Sequence, residues 1–487
     1  MKILFVSSEA VPFAKTGGLA DVAGALPKAL KHVGHDVRLI LPLYKKVDQT
    51  KWKLQLVRDG LTVDLDGKKE TVAIYQAAMP GSDLIVYFVQ AQYFLKRDEL
   101  YGVGSNDYPD NCEAFLTFCR GILAWLQGET WRPDVIHCND WQSAPLVAMI
   151  HNLRRSNPAW QRVATVYSVH NMVYQGLFPA EKFPLFDLPA EYFSMEGLES
   201  WGKLSFAKAG FVYADVINTV SETYAKEIQT AEYGAGLDGL LRYRSQDLYG
   251  IVNGLDYEVW DPAKDPKLPR RYSRATLTLK VDNKLSLQKN VKLPAMPDIP
   301  LIGVVSRLDV QKGFDLLVEI MDDIVKLNCQ FLLLGTGDAK FHQFFTALQK
   351  KNPKNISVNL GFDATLAELI YAGSDMFLMP SRYEPCGLGQ LISFKFGTVP
   401  IVRKTGGLAD TVKDYNAKSG QGDGFVFTDY TPAALLDAIK RAVDLYRNKK
   451  AAWLALQQRI MDYDYSWDAS AKKYVGLYMK ALGKVIK

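Results

Sequence analysis

Short β-branched runs alternate with longer stretches of helical period along the whole chain, and this alternation constrains the fold more than any other feature. "KILFV", "DVRLIL", "DLIVYFV", "DVIHC", "ATVYSV" and "DVINTV" recur through the first half, each next to a helical stretch. Such an order reads as a parallel sheet wrapped by helices. Residues 253–271 then concentrate proline, charge and turn formers, which marks a connection or a domain boundary. Beyond it the pattern restarts with "PLIGVVS", "CQFLLLG", "DMFLMP" and "VPIVRK", separated by helical patterns over residues 313–327, 339–351 and 365–373. The expected fold class is α/β, with two Rossmann-like doubly wound lobes facing a cleft. Ligands of open α/β sheets sit beyond the carboxyl ends of the strands, so the loops that follow the strands are the places to look for chemistry.

Composition narrows the function classes. Of 487 residues, 48% are hydrophobic and 23% charged, an ordinary soluble balance, and the net charge of +5 is spread along the chain. A nucleic-acid footprint is therefore not expected, while local phosphate pockets remain open. The five cysteines, Cys112, Cys119, Cys138, Cys329 and Cys386, form no CxxC or Cys/His ligand spacing. That fits a reducing compartment and argues against structural zinc. The apolar run at residues 3–6 is too short for a signal-peptide core, and nothing approaches a membrane span, so a soluble, unexported chain is expected.

One heptapeptide, "KTGGLAD", occurs twice, at residues 15–21 and 404–410, each time between a strand and an apolar helical stretch. Adjacent glycines let bare N–H groups approach an oxyanion, the helix start adds partial positive charge, and the lysine adds a full one. A tight turn before a helix is the competing reading. Both copies could address one cleft from opposite walls. The glycine-rich "GTGDAK" at residues 335–340 lacks the last glycine of GxGxxG and does not support a nicotinamide enzyme.

Three further clusters follow strands. Arg307 and Lys312 in "VSRLDVQKGFD" could reach one diphosphate, or be a pair of solvated cations. In "MPSRYEPCGLGQL", Glu384 stands before Cys386, Gly387 and Leu388 at the expected start of a helix running to Phe396. A carboxylate there can accept sugar hydroxyls while the amides donate to other oxygens; dipole matching is the plainer alternative. In "HCNDWQSAPL" and "YSVHNMVYQGLF", Asp140, Trp141, His170, Asn171, Tyr174 and Gln175 mix hydrogen-bonding groups with flat rings, which is how proteins grip sugars. His137, inside its strand, reads as structural, as does Cys386.

Taken together, "KTGGLADVAGALPKAL", "HCNDWQSAPL", "HNMVYQG", "SRLDVQKG", "PSRYEPCGLGQL" and "KTGGLADTV" resemble, in order and spacing, the motifs of bacterial glycogen synthases and plant or algal starch synthases, retaining glycosyltransferases of GT-B architecture. The resemblance implies transfer of glucose from ADP-glucose to the nonreducing end of an α-1,4-glucan, without a metal or other cofactor and with no nucleic-acid or membrane partner. It implies catalytic roles for Lys15, His170, Arg307, Lys312 and Glu384. Gly17, Gly18, Asp21, Asn253, Phe362, Cys386, Gly387 and Leu388 fall on the donor side by the same resemblance. Tyr93, Asp140, Trp141, Asn171 and Tyr174 fall on the acceptor side. Domains at 1–258 and 259–466 are expected, with a final helix at 467–487 crossing back to the first lobe, and closure on binding. The location implied is a bacterial cytoplasm, or a plastid if the chain is a mature one. Gly389 departs from the family, which usually carries a side chain there. A UDP-glucose enzyme and an inactive glucan-binding protein are the alternatives.

Overall fold

The computed structural model describes residues 1–104 and 106–485. Two compact units emerge: the first holds Met1–Val220, Ala225–Gly254 and the segment from Trp467, the second Ser221–Tyr224 and Leu255–Ser466. Ile486 and Lys487, the end of the expected last segment, lie outside the described residues.

The second unit is built on a six-stranded, wholly parallel sheet. Its strands, in chain order, are Leu301–Val305, Gln330–Gly335, Ile356–Leu360, Met376–Met379, Val399–Arg403 and Phe425–Phe427. Across the sheet they run third, second, first, fourth, fifth, sixth. The order reverses between Leu301–Val305 and Met376–Met379, paired directly through Ile302 and Met376. At such a reversal the loops leaving the two strands part in opposite directions and open a crevice. Continuous burial along Leu301–Val304 and Gln330–Leu334 explains the unbroken apolar runs: helices cover both faces.

The first unit carries a nine-stranded sheet in which Lys2–Val6 lies between Asp36–Pro42 and Val135–Asn139, all parallel. Its chain order also reverses there, beside the loops after Val6 and Asn139. One edge differs from the all-parallel expectation. Gln55–Leu65 and Lys68–Ala78 form an antiparallel hairpin that pairs with Ile85–Gln90. Its two-residue turn is Asp66–Gly67, both left-handed (φ 53° and 83°), the Asp-Gly pair favoured where a turn must match strand twist.

The helix Trp467–Val485 packs within the first unit. Tyr478 meets His137 Nδ1 at 2.8 Å, Tyr474 accepts from Asn218 at 3.1 Å, and Ser470 donates to the Val252 carbonyl at 3.0 Å. Both tyrosine rings are fully buried, contributing on the order of 2–3 kcal/mol each from apolar burial. His137 is held from its other side by Ser168 at 2.7 Å, and burial lowers its pKa to about 3, so it is a neutral packing residue. All five cysteines are buried and none is in a disulfide. Among the described residues no helix is long and apolar enough to cross a membrane.

Candidate functional site

In the second unit a cavity of about 180 Å³ opens at the reversal point, beyond the ends of Leu301–Val305 and Met376–Met379. Arg307, Lys312, Tyr371, Glu384 and residues 387–389 are among those that line it. Glu384, 8% exposed, accepts from Lys312 Nζ at 2.6 Å and from Ser381 Oγ at 3.0 Å, both on Oε2. The partners lie 72 residues apart in sequence and meet because their two strands are neighbours in the sheet.

Local geometry fixes each group. Lys312 donates its backbone N–H to Asp309 at 2.9 Å, and Gly313 follows at φ 79° with its α-carbon against the Pro380 carbonyl, where any Cβ would overlap backbone. Only glycine serves there. Arg307 is 58% exposed on its side chain, 3.2 Å from Asp309 and 3.1 Å from Gln311, a solvated guanidinium held on one side by an acid. The helix after Glu384 begins at Gly389, later than the sequence suggests, and runs to Lys395. Residues 385–388 are therefore loop, with Gly387 at φ 75° and Cys386 buried.

The second KTGGLAD copy packs against this loop. A Cβ on Gly406 would overlap the Glu384 carbonyl and one on Gly407 the Cys386 carbonyl, while the Gly407 N–H donates to the carbonyls of Glu384 and Pro385 at 3.2 Å each. Asp410 is spent on Ser221 and Thr223. Gly389 is explained similarly: an added Cβ would stand 2.9 Å from Phe377 Cε1, 3.1 Å from Met379 Sδ and 3.3 Å from Tyr371 Oη. Phe362 sits apart from these walls, 93% exposed on the loop after Ile356–Leu360.

In the first unit the first copy of the heptapeptide is open. No atom lies within 4 Å of a Cβ placed on Gly18, the first residue of the helix Gly18–His32. Glu9, which sequence reading missed, accepts the N–H groups of Thr16 and Gly17 and the Thr16 hydroxyl (2.9 Å), and so shapes the loop from inside. Burial raises the pKa of Glu9, opposed by those hydrogen bonds. Its position three residues past the first strand was the available signal. Lys15 pairs with both oxygens of Asp21 at 2.7 and 2.8 Å, an exposed pair that an arriving anion can rearrange at little cost.

Beside it, Asp140 opens the helix Asp140–Ser156 at φ 55° and accepts the His170 N–H at 2.7 Å. Burial pushes its pKa up to about 7, against the His170 N–H and with help from Glu9. His170 Nε2 lies 3.0 Å from Asn139 Oδ1, and Asn139 donates its amide to Val6 and His137 carbonyls. Asn139 Oδ1 is thus an acceptor, which assigns the His170 proton to Nε2 and leaves Nδ1 as a lone-pair acceptor. Burial lowers the His170 pKa to about 4, so the ring is neutral near pH 7.

The remaining expected residues separate. Asn171 Oδ1 accepts the Val173 N–H at 3.1 Å and Tyr174 is exposed on the same loop as His170. Trp141 is 8% exposed, its ring packed against Phe115, Phe178 and Phe206, with Gly176 pressed on its face so closely that a Cβ would overlap it. It holds the loop in place; it offers no open face. Tyr93 is tied to the edge hairpin, donating to Glu70 at 3.1 Å and accepting from Lys68 at 3.2 Å. Asn253 is buried, and its amide oxygen has no hydrogen-bond partner among the described residues. Among the described residues no three His, Cys, Asp or Glu side chains gather as a metal site.

Comparison with known proteins agrees with these features. The family described as Starch synthase catalytic domain matches residues 2–243, and Glycosyl transferases group 1 matches residues 288–455. A glycogen synthase of Geotalea uraniireducens is 47% identical over 484 residues, with 99% of each chain covered. One of Thermotoga maritima is 45% identical over 489 residues, 100% of each. The solved catalytic domain of starch synthase IV from Arabidopsis thaliana, bound to ADP and acarbose, superimposes with a TM-score of 0.88 at 31% identity over 99% of each chain. The chain belongs to the glycogen and starch synthase family, glucan-elongating glucosyltransferases of the GT-B fold.

Proposed function

We propose that this chain transfers glucose from ADP-glucose to the nonreducing 4-hydroxyl of an α-1,4-glucan with retention at the anomeric carbon. The observation that carries the reading is the Lys312–Glu384 pair at 2.6 Å with Arg307 beside it, at the reversal point of a doubly wound sheet. Arg307 and Lys312 are assigned to the donor diphosphate, together with Lys15 and the Gly18 N–H. Glu384 and the amides of residues 386–388 take the 3- and 4-hydroxyls of the glucosyl ring, and the neutral His170 accepts from its 6-hydroxyl through Nδ1. Phe362 stacks on adenine. Gly17, Asp21 and Asn253 complete the donor side; Tyr93, Asp140, Asn171 and Tyr174 face the acceptor, with Trp141 bracing their loop.

Breaking the bond from glucosyl C1 to the phosphate oxygen sends its electron pair to a diphosphate that gains charge. Cations placed in advance stabilise that state more than the ground state. The acceptor oxygen bonds to C1 on the face the phosphate leaves, and its proton passes to the departing phosphate oxygen. No metal is assigned a role, because the protein's own cations take the charge. The work then belongs to the compartment that holds the donor, a bacterial cytoplasm or a plastid. Donor choice is the finest part of this reading, resting on the resemblance and on the ADP bound to the Arabidopsis neighbour. Labelled glucose offered as ADP-glucose or UDP-glucose, with glycogen as acceptor and EDTA present, tests it. ADP-glucose is expected to give at least about tenfold higher kcat/KM, a difference of about 1.4 kcal/mol. Equal or better use of UDP-glucose overturns the donor assignment, and no incorporation from either overturns the function.

A further inference from the structure

Trp201 is the most exposed tryptophan side chain among the large apolar residues left in water, at 86%. It stands with Gly202 as the two-residue turn between Glu199–Ser200 and Lys203–Ser205, whose pairing closes at Ser200 and Lys203. Both turn residues are left-handed, Trp201 at φ 53° and Gly202 at φ 76°. Such turns favour Asn or Asp before Gly, and a bulky ring at positive φ is held against its own preference. Strain of this kind invites a functional reading where a second observation locates it.

The location comes from the neighbouring loop. The Trp201 indole nitrogen stands 3.3 Å from the place a Cβ of Gly236 would take, and the carbonyl of the adjacent Ala235 accepts from Gln175 Nε2 at 2.8 Å. Gln175 continues the segment that carries His170, Asn171 and the exposed Tyr174, and Leu177 beyond it is exposed as well. A flat open ring thus lies against the loop that Gln175 holds, and Gln175 directly follows Tyr174, which is assigned to the acceptor. Two residues to either side of Trp201 in the chain stand Glu199 and the exposed Lys203, and charged residues are depleted at the centres of protein interfaces. Rings bounded by hydrogen-bonding groups suit the C–H faces of sugars.

We propose that Trp201 is the platform of a subsite for a stretch of α-1,4-glucan beyond the units held at the reaction centre, so that it selects for long acceptor chains. This rests on the reading of the enzyme as a glucan synthase. Trp201→Asn is the informative variant, because asparagine suits the turn better than tryptophan. Its Tm is expected to equal or exceed that of the wild type, while its KM for maltoheptaose and glycogen rises about fivefold and its KM for maltotriose less than about twofold. Electrophoresis in native gels containing glycogen adds a readout independent of turnover: the wild type is retarded and Trp201→Asn less so. Equal retardation, or an equal rise in KM for short and long acceptors, overturns the proposal. So does sedimentation showing that Trp201→Asn dissociates a dimer while leaving glycogen retardation unchanged. A wild type retarded by glycogen yet inactive with either nucleotide donor would sink the synthase reading while the gel still decides the platform.

Discussion

Lys312→Met is expected to lower kcat/KM for the sugar nucleotide by about 10²-fold or more, the usual loss when one charge-stabilising donor is withdrawn from a developing anion. It also removes the cation 2.6 Å from Glu384, a carboxylate 8% exposed, and leaves that buried charge beside the Ser381 hydroxyl. Breaking one side of a buried pair costs on the order of 3–5 kcal/mol, and the partial exposure of the lysine points to the lower end. Rate and stability therefore fall together in the single variant. The double variant Lys312→Met, Glu384→Gln separates them: with both charges gone, Tm is expected to recover most of the loss, while transfer stays down if the roles proposed for the two residues hold. Initial rates and thermal unfolding on the three proteins check this. A single variant within about threefold of the wild-type rate would remove Lys312 from the mechanism.

Asp140→Asn is expected to stabilise the protein at pH 8 and to leave it unchanged near pH 3. Burial holds the Asp140 carboxyl at about 7 in the folded protein, against 3.8 for an ordinary aspartate. Below 3.8 both states bind the proton and the group costs nothing. As pH rises through the interval to 7 the unfolded chain releases the proton first, so stability is lost with increasing pH and the loss levels off above 7. The rise from 3.8 to about 7 corresponds to about 4 kcal/mol, reduced to ~2–4 kcal/mol because the residue keeps some contact with water. Asparagine tolerates the left-handed φ of 55° and can still accept the His170 N–H, so the substitution removes the titration without removing the geometry. The Glu9 charge adds to the rise at Asp140, so its repulsion is part of the difference between the two proteins. Urea unfolding of both across pH 4 to 8 should show the gap widening to about pH 7; a constant gap contradicts the buried carboxyl.

Much of the fold is readable from residue patterns, because a strand buried on both faces leaves an unbroken β-branched run. "DVRLIL" and "QFLLLG" declare themselves in that way. The edge hairpin does not, since Gln55–Leu65 faces water along most of its length and keeps no apolar run; only Asp66–Gly67 signals it. The candidate site is less readable, for a different reason. Lys312 and Glu384 become partners through the pairing of two strands, which no local spacing encodes. Identical letters at residues 15–21 and 404–410 meet unlike surroundings: open space at Gly18, the Glu384 and Cys386 carbonyls at Gly406 and Gly407. Trp141 reads as a sugar platform until Phe115, Phe178 and Phe206 surround it, whereas Trp201, with no motif around it, is the ring left open.

The central claim is that the second unit's cavity takes up the charge of the donor diphosphate. Calorimetric titration of ADP into the wild type and Arg307→Ala tests it most directly, since the arginine is 58% exposed and its loss leaves the fold intact. ADP should bind the wild type and bind the variant about tenfold or more weakly, the loss of one charge-assisted contact. Equal affinity in the two proteins, with equal Tm, would place the nucleotide elsewhere and contradict the account.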